Sequence, residues 1–225
     1  MNRLYWVRHG ENKANLTKQF SHRLVDLPLT PKGRLQAQQT AEWFLDKHVT
    51  SLYCSPLKRA AETDAIIGQR IDLSPQPVEA FRELNVGDLE KYPPSAAAWA
   101  TYMQVVEAWR RGATEVAFPG GEDYNTLLER FRSGFCQVMD QARGDLLVVG
   151  HGGSFTLVLP DLCPQVDPLW LDGQQSANCS ITELAVELVD GQVRGELVSW
   201  AKYDHLHGEA AEIVSGLLDE DEFTA

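Results

Sequence analysis

Leu4-Tyr5-Trp6-Val7-Arg8-His9-Gly10 is an apolar run that ends abruptly in a cation, an imidazole and a flexible glycine. The run reads as a buried first strand. Its polar end falls where open α/β sheets place their ligands, beyond the carboxyl ends of the strands. A histidine held there beside a permanently charged arginine is suited to chemistry on an anion.

Working outward, the same grammar recurs. Thr30-Pro31 supplies an N-cap and a proline at the first helical position, and Leu35, Ala41, Phe44 and Leu45 continue a helical pattern to about Lys47. Ser51-Leu52-Tyr53-Cys54 reads as a short strand, with Ser55-Pro56 capping a helix whose buried face is Ala60, Ala61, Ala65, Ile66 and Ile67. Two strand-helix units imply a parallel pair joined by a right-handed crossover. Pro75 to Phe81 is expected to add a short strand, and residues 92–119 a helical insertion that begins after Pro93-Pro94 and forms a lid.

The longest helical pattern runs from Glu122 to Arg143, with Leu127, Leu128, Phe131, Phe135, Val138 and Met139 on one face and Gly144 as its stop. Asp145 to Val149 follows as a strand apolar on both faces. It delivers Gly150-His151-Gly152-Gly153, a second histidine at a strand's carboxyl end. Ser180–Val189 and Val193–Trp200 form a hairpin across Asp190-Gly191, and the acidic tail 217–225 is expected to fray. The fold class expected is α/β, a three-layer sandwich with a mostly parallel central sheet between helices, in one domain spanning residues 1–225.

Composition narrows the partners. The 225 residues carry a net charge of −12, which argues against nucleic acid or an anionic membrane surface. No apolar run approaches the ~18 residues needed to cross a bilayer, and no signal-peptide pattern precedes the first strand, so a cytoplasmic location is expected. Cys54, Cys136, Cys163 and Cys179 are far apart and read as buried reduced thiols, since no pair has zinc or redox spacing. Oligomeric state is not encoded in any readable pattern.

Two histidines and two arginines converging on one rim suit phosphoryl transfer through an enzyme nucleophile. A neutral imidazole nitrogen can attack phosphorus. Arginine binds the equatorial oxygens bidentately, so Arg8 and Arg59 are candidate clamps, with a protonated His151 as a third. A carboxylic acid must protonate the leaving oxygen. Glu83 is the candidate, chosen over Glu79, Glu90 and Glu122.

These residues resemble the histidine phosphatase superfamily, in the branch of cofactor-dependent phosphoglycerate mutases and their phosphatase relatives. The matching blocks run in order along nearly the whole chain: Arg8-His9-Gly10-Glu11 with Asn15, Pro28 to Gly33, Ser55 to Thr63, Arg82-Glu83-Leu84, Gly87 to Glu90, Pro119 to Glu122, Gly150 to Gly153, and Asn178 to Thr182. The resemblance implies that His9 is the phosphate-accepting nucleophile, that Arg8, Arg59 and His151 form the phosphate pocket, and that Glu83 gives and then takes the proton. It implies substrate contacts at Asn15, Ser21, His22 and Gly152, and a metal-free enzyme that needs no cofactor. Its partners would be a small phosphorylated substrate and inorganic phosphate as product.

Ser21-His22 stand where many relatives carry glutamine and glycine, and Lys91-Tyr92 stand where a glycine often follows. The insertion is shorter than in the mutases and lacks their arginine-rich stretch, having only Arg110-Arg111. That shifts the expectation towards a phosphomonoester hydrolase. A phosphoglycerate mutase and a non-hydrolytic phospholigand-binding protein are the alternatives.

Overall fold

The computed structural model describes residues 1–171 and 173–214. Its elements are β1 (Asn2–Arg8), α1 (Lys13–Thr17), α2 (Pro31–Trp43), β2 (Val49–Cys54), α3 (Lys58–Ile71), β3 (Gln76–Pro77), α4 (Ala96–Arg110), α5 (Tyr124–Gln141), β4 (Asp145–Gly150), α6 (Gly152–Leu162), α7 (Pro168–Leu171), β5 (Ile181–Val189) and β6 (Gln192–Lys202). The strands form one sheet in the order β3-β2-β4-β1-β5-β6. The β3-β2, β2-β4 and β4-β1 pairs are parallel, and β1-β5 and β5-β6 are antiparallel. A mostly parallel α/β sandwich is therefore what forms.

Strand alternation explains the layers. Leu4 and Trp6 enter a core with Phe81, Phe131, Phe135 and Phe155, under α5 and α6. Tyr5 and Val7 point the opposite way, into a core with Ala41 of α2, Phe44 just after it, and Ala60 and Ile67 of α3. Trp6 anchors the first of these, stacked on Phe155 at 4.2 Å between ring centroids. Leu146, Leu147, Val148 and Val149 of β4 have no exposed surface, as a strand covered on both faces requires.

That burial also corrects the expected connection. β1 and β2 are parallel but not neighbours, because β4 lies between them and pairs with both. The fully apolar β4 can only be satisfied at the centre, so the chain returns from α5 to fill the gap. The carboxyl ends of β1, β2 and β4 consequently open side by side.

Local corrections have local causes. Ser55 does not cap a helix at Pro56; α3 starts at Lys58 with Leu57 at its N-cap, and the Asp26 carboxylate accepts the Lys58 N–H at 2.8 Å. Ala65 faces solvent, and Asp64 takes a buried place on that helix instead. α2 ends at Trp43 and tightens into a 3₁₀ turn over Phe44–Asp46, leaving Leu45 exposed. Only Gln76–Pro77 of the 75–81 segment pairs as a strand, followed by a 3₁₀ turn at Glu79–Phe81. α5 starts two residues after Glu122, capped by the Asp123 side chain on the Thr126 N–H. The hairpin turn holds Asp190 at φ 51° and Gly191 at φ 75°, the left-handed pair that a two-residue turn needs. Cys136 is only half-buried, unlike the other three cysteines. The expected frayed tail lies outside the described residues, among which no helix is long and apolar enough to cross a membrane.

Candidate active site

His9 follows β1, and its backbone is fixed before its ring is considered. The His9 N–H donates to the Gly150 carbonyl at 2.9 Å, and the Asn178 side chain donates to the His9 carbonyl at 2.9 Å. Gly10 lies so close to α2 that a Cβ there would come within 2.5 Å of the Gly33 carbonyl oxygen. This contact explains why the Thr30-Pro31-Lys32-Gly33 turn belongs with the Arg8-His9-Gly10 segment. Thr30 caps α2 by accepting the Gly33 N–H, and the Thr30 N–H donates to the Glu11 carbonyl.

The His9 ring is oriented by two contacts. Nδ1 lies 2.7 Å from the Gly10 carbonyl, which as an acceptor requires the proton on Nδ1. Nε2 then carries a lone pair, and it accepts the Arg59 Nε–H at 3.0 Å. Burial pushes the His9 pKa well below its ordinary value, and Arg59 and Arg8 push it further. The ring is neutral.

Arg59 sits in the first turn of α3, buried, with its pKa lowered by desolvation to about 10. Its remaining donors reach Ser21, Nη1 to the hydroxyl at 2.9 Å and Nη2 to the carbonyl at 2.8 Å. Arg8 donates to the Ser176 carbonyl. Its side chain also passes over Gly152, where a Cβ would come within 3.2 Å of Arg8 Cδ.

His151 precedes α6, fully buried, with its ring centroid 5.2 Å from that of His9. Its Nε2 lies 2.8 Å from the Ser55 hydroxyl, and its Nδ1 has no partner among the described residues. Ser55 also accepts the Leu57 N–H at 3.3 Å. Burial, then Arg59 and His9, lower the His151 pKa well below its ordinary value. Both effects favour the neutral ring over the protonated one expected from sequence.

Glu83 is held by the start of α6. One carboxylate oxygen accepts the Leu84 and Ser154 N–H groups at 2.9 and 2.7 Å, and the other accepts the Gly153 N–H at 3.3 Å. The alternatives are engaged elsewhere: Glu79 pairs with Arg82 on the surface, Glu90 folds the 21–25 loop, and Glu122 pairs with Arg130. Of the four carboxylates, Glu83 is the one that lines the cavity above His9.

Arg8, His9, Asn15, Ser21, Arg59, Glu83 and Gly152 all line that one cavity. His151 and His22 do not. His151 is enclosed beneath it beside Ser55, and His22 lies behind Glu83, with Nδ1 2.7 Å from the Glu83 carbonyl, where Arg130 also donates at 3.2 Å. His22 and Arg130 thus fix the backbone of Glu83 from outside the pocket. The Asn15 side-chain oxygen Oδ1 accepts the Asn12 N–H at 3.1 Å and the Asn178 side-chain amide at 3.2 Å.

Sequence reasoning missed Ser55 as the partner of His151 and Glu90 as the organiser of the 21–25 loop. Both sat inside motif blocks, which was the available signal. Trp99 and Tyr102 pack with the core and line the cavity as well. Among the described residues, no cluster of three or more His, Cys, Asp or Glu side chains is placed to hold a metal.

Residues 4–199 match the profile of the histidine phosphatase superfamily, branch 1. The chain belongs to that family. It is 27% identical to the probable phosphoglycerate mutase GpmB of Salmonella choleraesuis, over 98% of this chain and 99% of the relative. Among solved structures it is similar to the mycobacterial glucosyl-3-phosphoglycerate phosphatase, at 25% identity and a TM-score of 0.75, covering 89% of this chain and 99% of that one. The fold is shared by the phosphoserine phosphatase of Entamoeba histolytica, at 22% identity and a TM-score of 0.70, covering 92% and 100% of the two chains. Membership and the mycobacterial neighbour make the chain an enzyme, a histidine phosphatase.

Proposed function

We propose that the chain is a metal-independent phosphomonoester hydrolase that works through a phosphohistidine at His9 and releases inorganic phosphate. The observation that carries this reading is the His9 ring, whose Nδ1 proton is tied to Gly10 so that a neutral Nε2 faces Arg59 in the cavity. A neutral imidazole with its lone pair so placed is a nucleophile ready for phosphorus.

The cycle balances with the groups present. Nε2 attacks phosphorus, the ester P–O bond breaks, and Glu83 gives its proton to the departing alkoxide. The Glu83 carboxylate then takes a proton from water as the water oxygen attacks, the P–N bond breaks, and phosphate leaves with Glu83 again protonated. Arg8 and Arg59 balance the charge on the equatorial oxygens throughout. Ser55, accepting from Leu57, is free to donate its own proton to His151 Nε2. The His151 proton then sits on Nδ1, which has no partner among the described residues.

The similar mycobacterial enzyme is named for a phosphatase activity, which supports hydrolysis. The Salmonella relative carries a mutase name, so transfer back to a phosphoglycerate is the competing outcome. Rapid quench with a radiolabelled phosphomonoester tests the reading: an acid-labile, base-stable phosphoryl label appears on the wild type and is absent from His9→Ala. Full hydrolysis by His9→Ala removes the nucleophile, and interconversion of 2- and 3-phosphoglycerate without net phosphate release replaces the hydrolase with a mutase. Activity is expected to persist in EDTA. Loss that a divalent metal restores would remove metal independence.

A further inference from the structure

The cavity above His9 holds about 610 Å³, within the range of pockets that enclose drug-sized ligands. Arg8, His9, Asn15, Arg59 and Glu83 line it at the nucleophile, and Phe20, Trp99, Tyr102, Met103, Val106 and Leu157 form an apolar wall, with Arg110 the next lining residue along α4.

Most of that wall is a single helical stripe. Trp99, Tyr102, Met103 and Val106 recur at the spacing that puts side chains on one face of α4, and that face lines the cavity. Phe20 is stacked against it, 4.6 Å from Trp99 and 5.4 Å from Tyr102 between centroids. A two- or three-carbon phosphorylated acid would occupy little of this volume and would leave the apolar stripe facing water, which is unfavourable in proportion to its area.

Resting on the hydrolase reading, we propose that the leaving group is a bulky, mainly apolar alcohol, aryl or long-chain alkyl, seated along the α4 stripe. Specificity then comes from the insertion and not from the phosphate end. Burial of a leaving group against this wall favours larger esters by up to about fourfold for each fully buried methylene.

A series of n-alkyl monophosphates from ethyl to octyl tests this with the wild-type enzyme, because the leaving-group chemistry is nearly constant along it. kcat/KM is expected to rise by about 100-fold or more from ethyl to octyl. Met103→Lys places a charge in the stripe at a position 42% exposed, and is expected to lower the octyl-to-ethyl ratio several-fold. A flat or falling series overturns the apolar leaving group, and an unchanged ratio in Met103→Lys overturns the α4 location. No phosphate release from any member, with no label on His9, overturns the hydrolase reading itself.

Discussion

Arg59 donates its Nε–H to His9 Nε2 across 3.0 Å, so a cation is paired with the very lone pair that the proposed reaction needs. An incoming phosphoryl group offers Arg59 better acceptors and frees Nε2 at the moment it is required. The exchange costs little because Arg59 keeps its two contacts to Ser21, which hold the guanidinium in place.

Arg59→Lys therefore loses more than its small chemical change suggests. An ammonium keeps the charge but cannot hold the Ser21 hydroxyl, the Ser21 carbonyl and a phosphoryl oxygen together from one plane. kcat/KM on a phosphomonoester is expected to fall about 100-fold, and about 1,000-fold in Arg59→Ala. Steady-state assays of the two variants check it; near wild-type activity in Arg59→Lys contradicts the clamp.

The histidines set the pH response. The His9 and His151 pKa values are lowered by burial and neighbouring arginines, and His205 is pushed by burial down to about 4. A depressed histidine is neutral when folded but binds a proton when unfolded below about pH 6.5, so its stabilisation is present above that value and is lost as pH falls. Each group adds a slope of up to about 1.4 kcal/mol per pH unit. Tm is expected to fall steadily from pH 7 to pH 4.5. Because His9 stays neutral, kcat/KM should show no acidic limb near pH 6.5 from the nucleophile. A Tm independent of pH across that window is inconsistent with these buried rings.

Glu83→Gln separates the two chemical steps. The amide can still accept from Leu84 and Ser154, so the start of α6 stays covered, but it has no proton to give or regain. Hydrolysis of alkyl phosphates is expected to drop by about 10²–10⁴-fold. A 4-nitrophenyl ester needs no protonation to leave, so its first step survives and the phosphohistidine accumulates as a burst. Quench-flow detects that burst. Equal losses on both esters would place the proton elsewhere.

What the sequence made legible was whatever chain-local physics dictates. The Leu4–Val7 run, the Thr30-Pro31 cap, the Asp190-Gly191 turn and the continuous apolar β4 each follow from neighbours a few residues away. His9, Arg59 and His151 were legible because each sits in a motif block at an element's end. The insertion of β4 between β1 and β2 was not, since it depends on which strand most needs two neighbours. Nor was the placement of His22 behind Glu83, which is set by a residue 61 positions away. The aromatic wall was hidden for another reason: Trp99 and Tyr102 have helical spacing whether they face a core or a cavity, and only the packed structure separates the two.

The 21–25 loop supplies the last test, because it is folded around one carboxylate. A single oxygen of Glu90 accepts the N–H groups of His22, Arg23 and Val25 at 2.6, 2.8 and 2.8 Å. Burial alone would raise the Glu90 pKa, but these backbone donors bring it below its ordinary value. Removing the acceptor in Glu90→Ala leaves several half-buried donors unmade, a loss of about 2–3 kcal/mol, or roughly 5–10 °C in Tm for a chain of this size. Ser21 opens the same loop and holds Arg59, so KM for phosphomonoesters is expected to rise more than kcat falls. Glu90→Gln keeps an acceptor and should lose less than half as much in Tm. Calorimetry beside steady-state kinetics decides it: a Glu90→Ala protein with unchanged Tm and KM would show that the loop, and the Arg59 anchor it carries, is held by something other than this carboxylate.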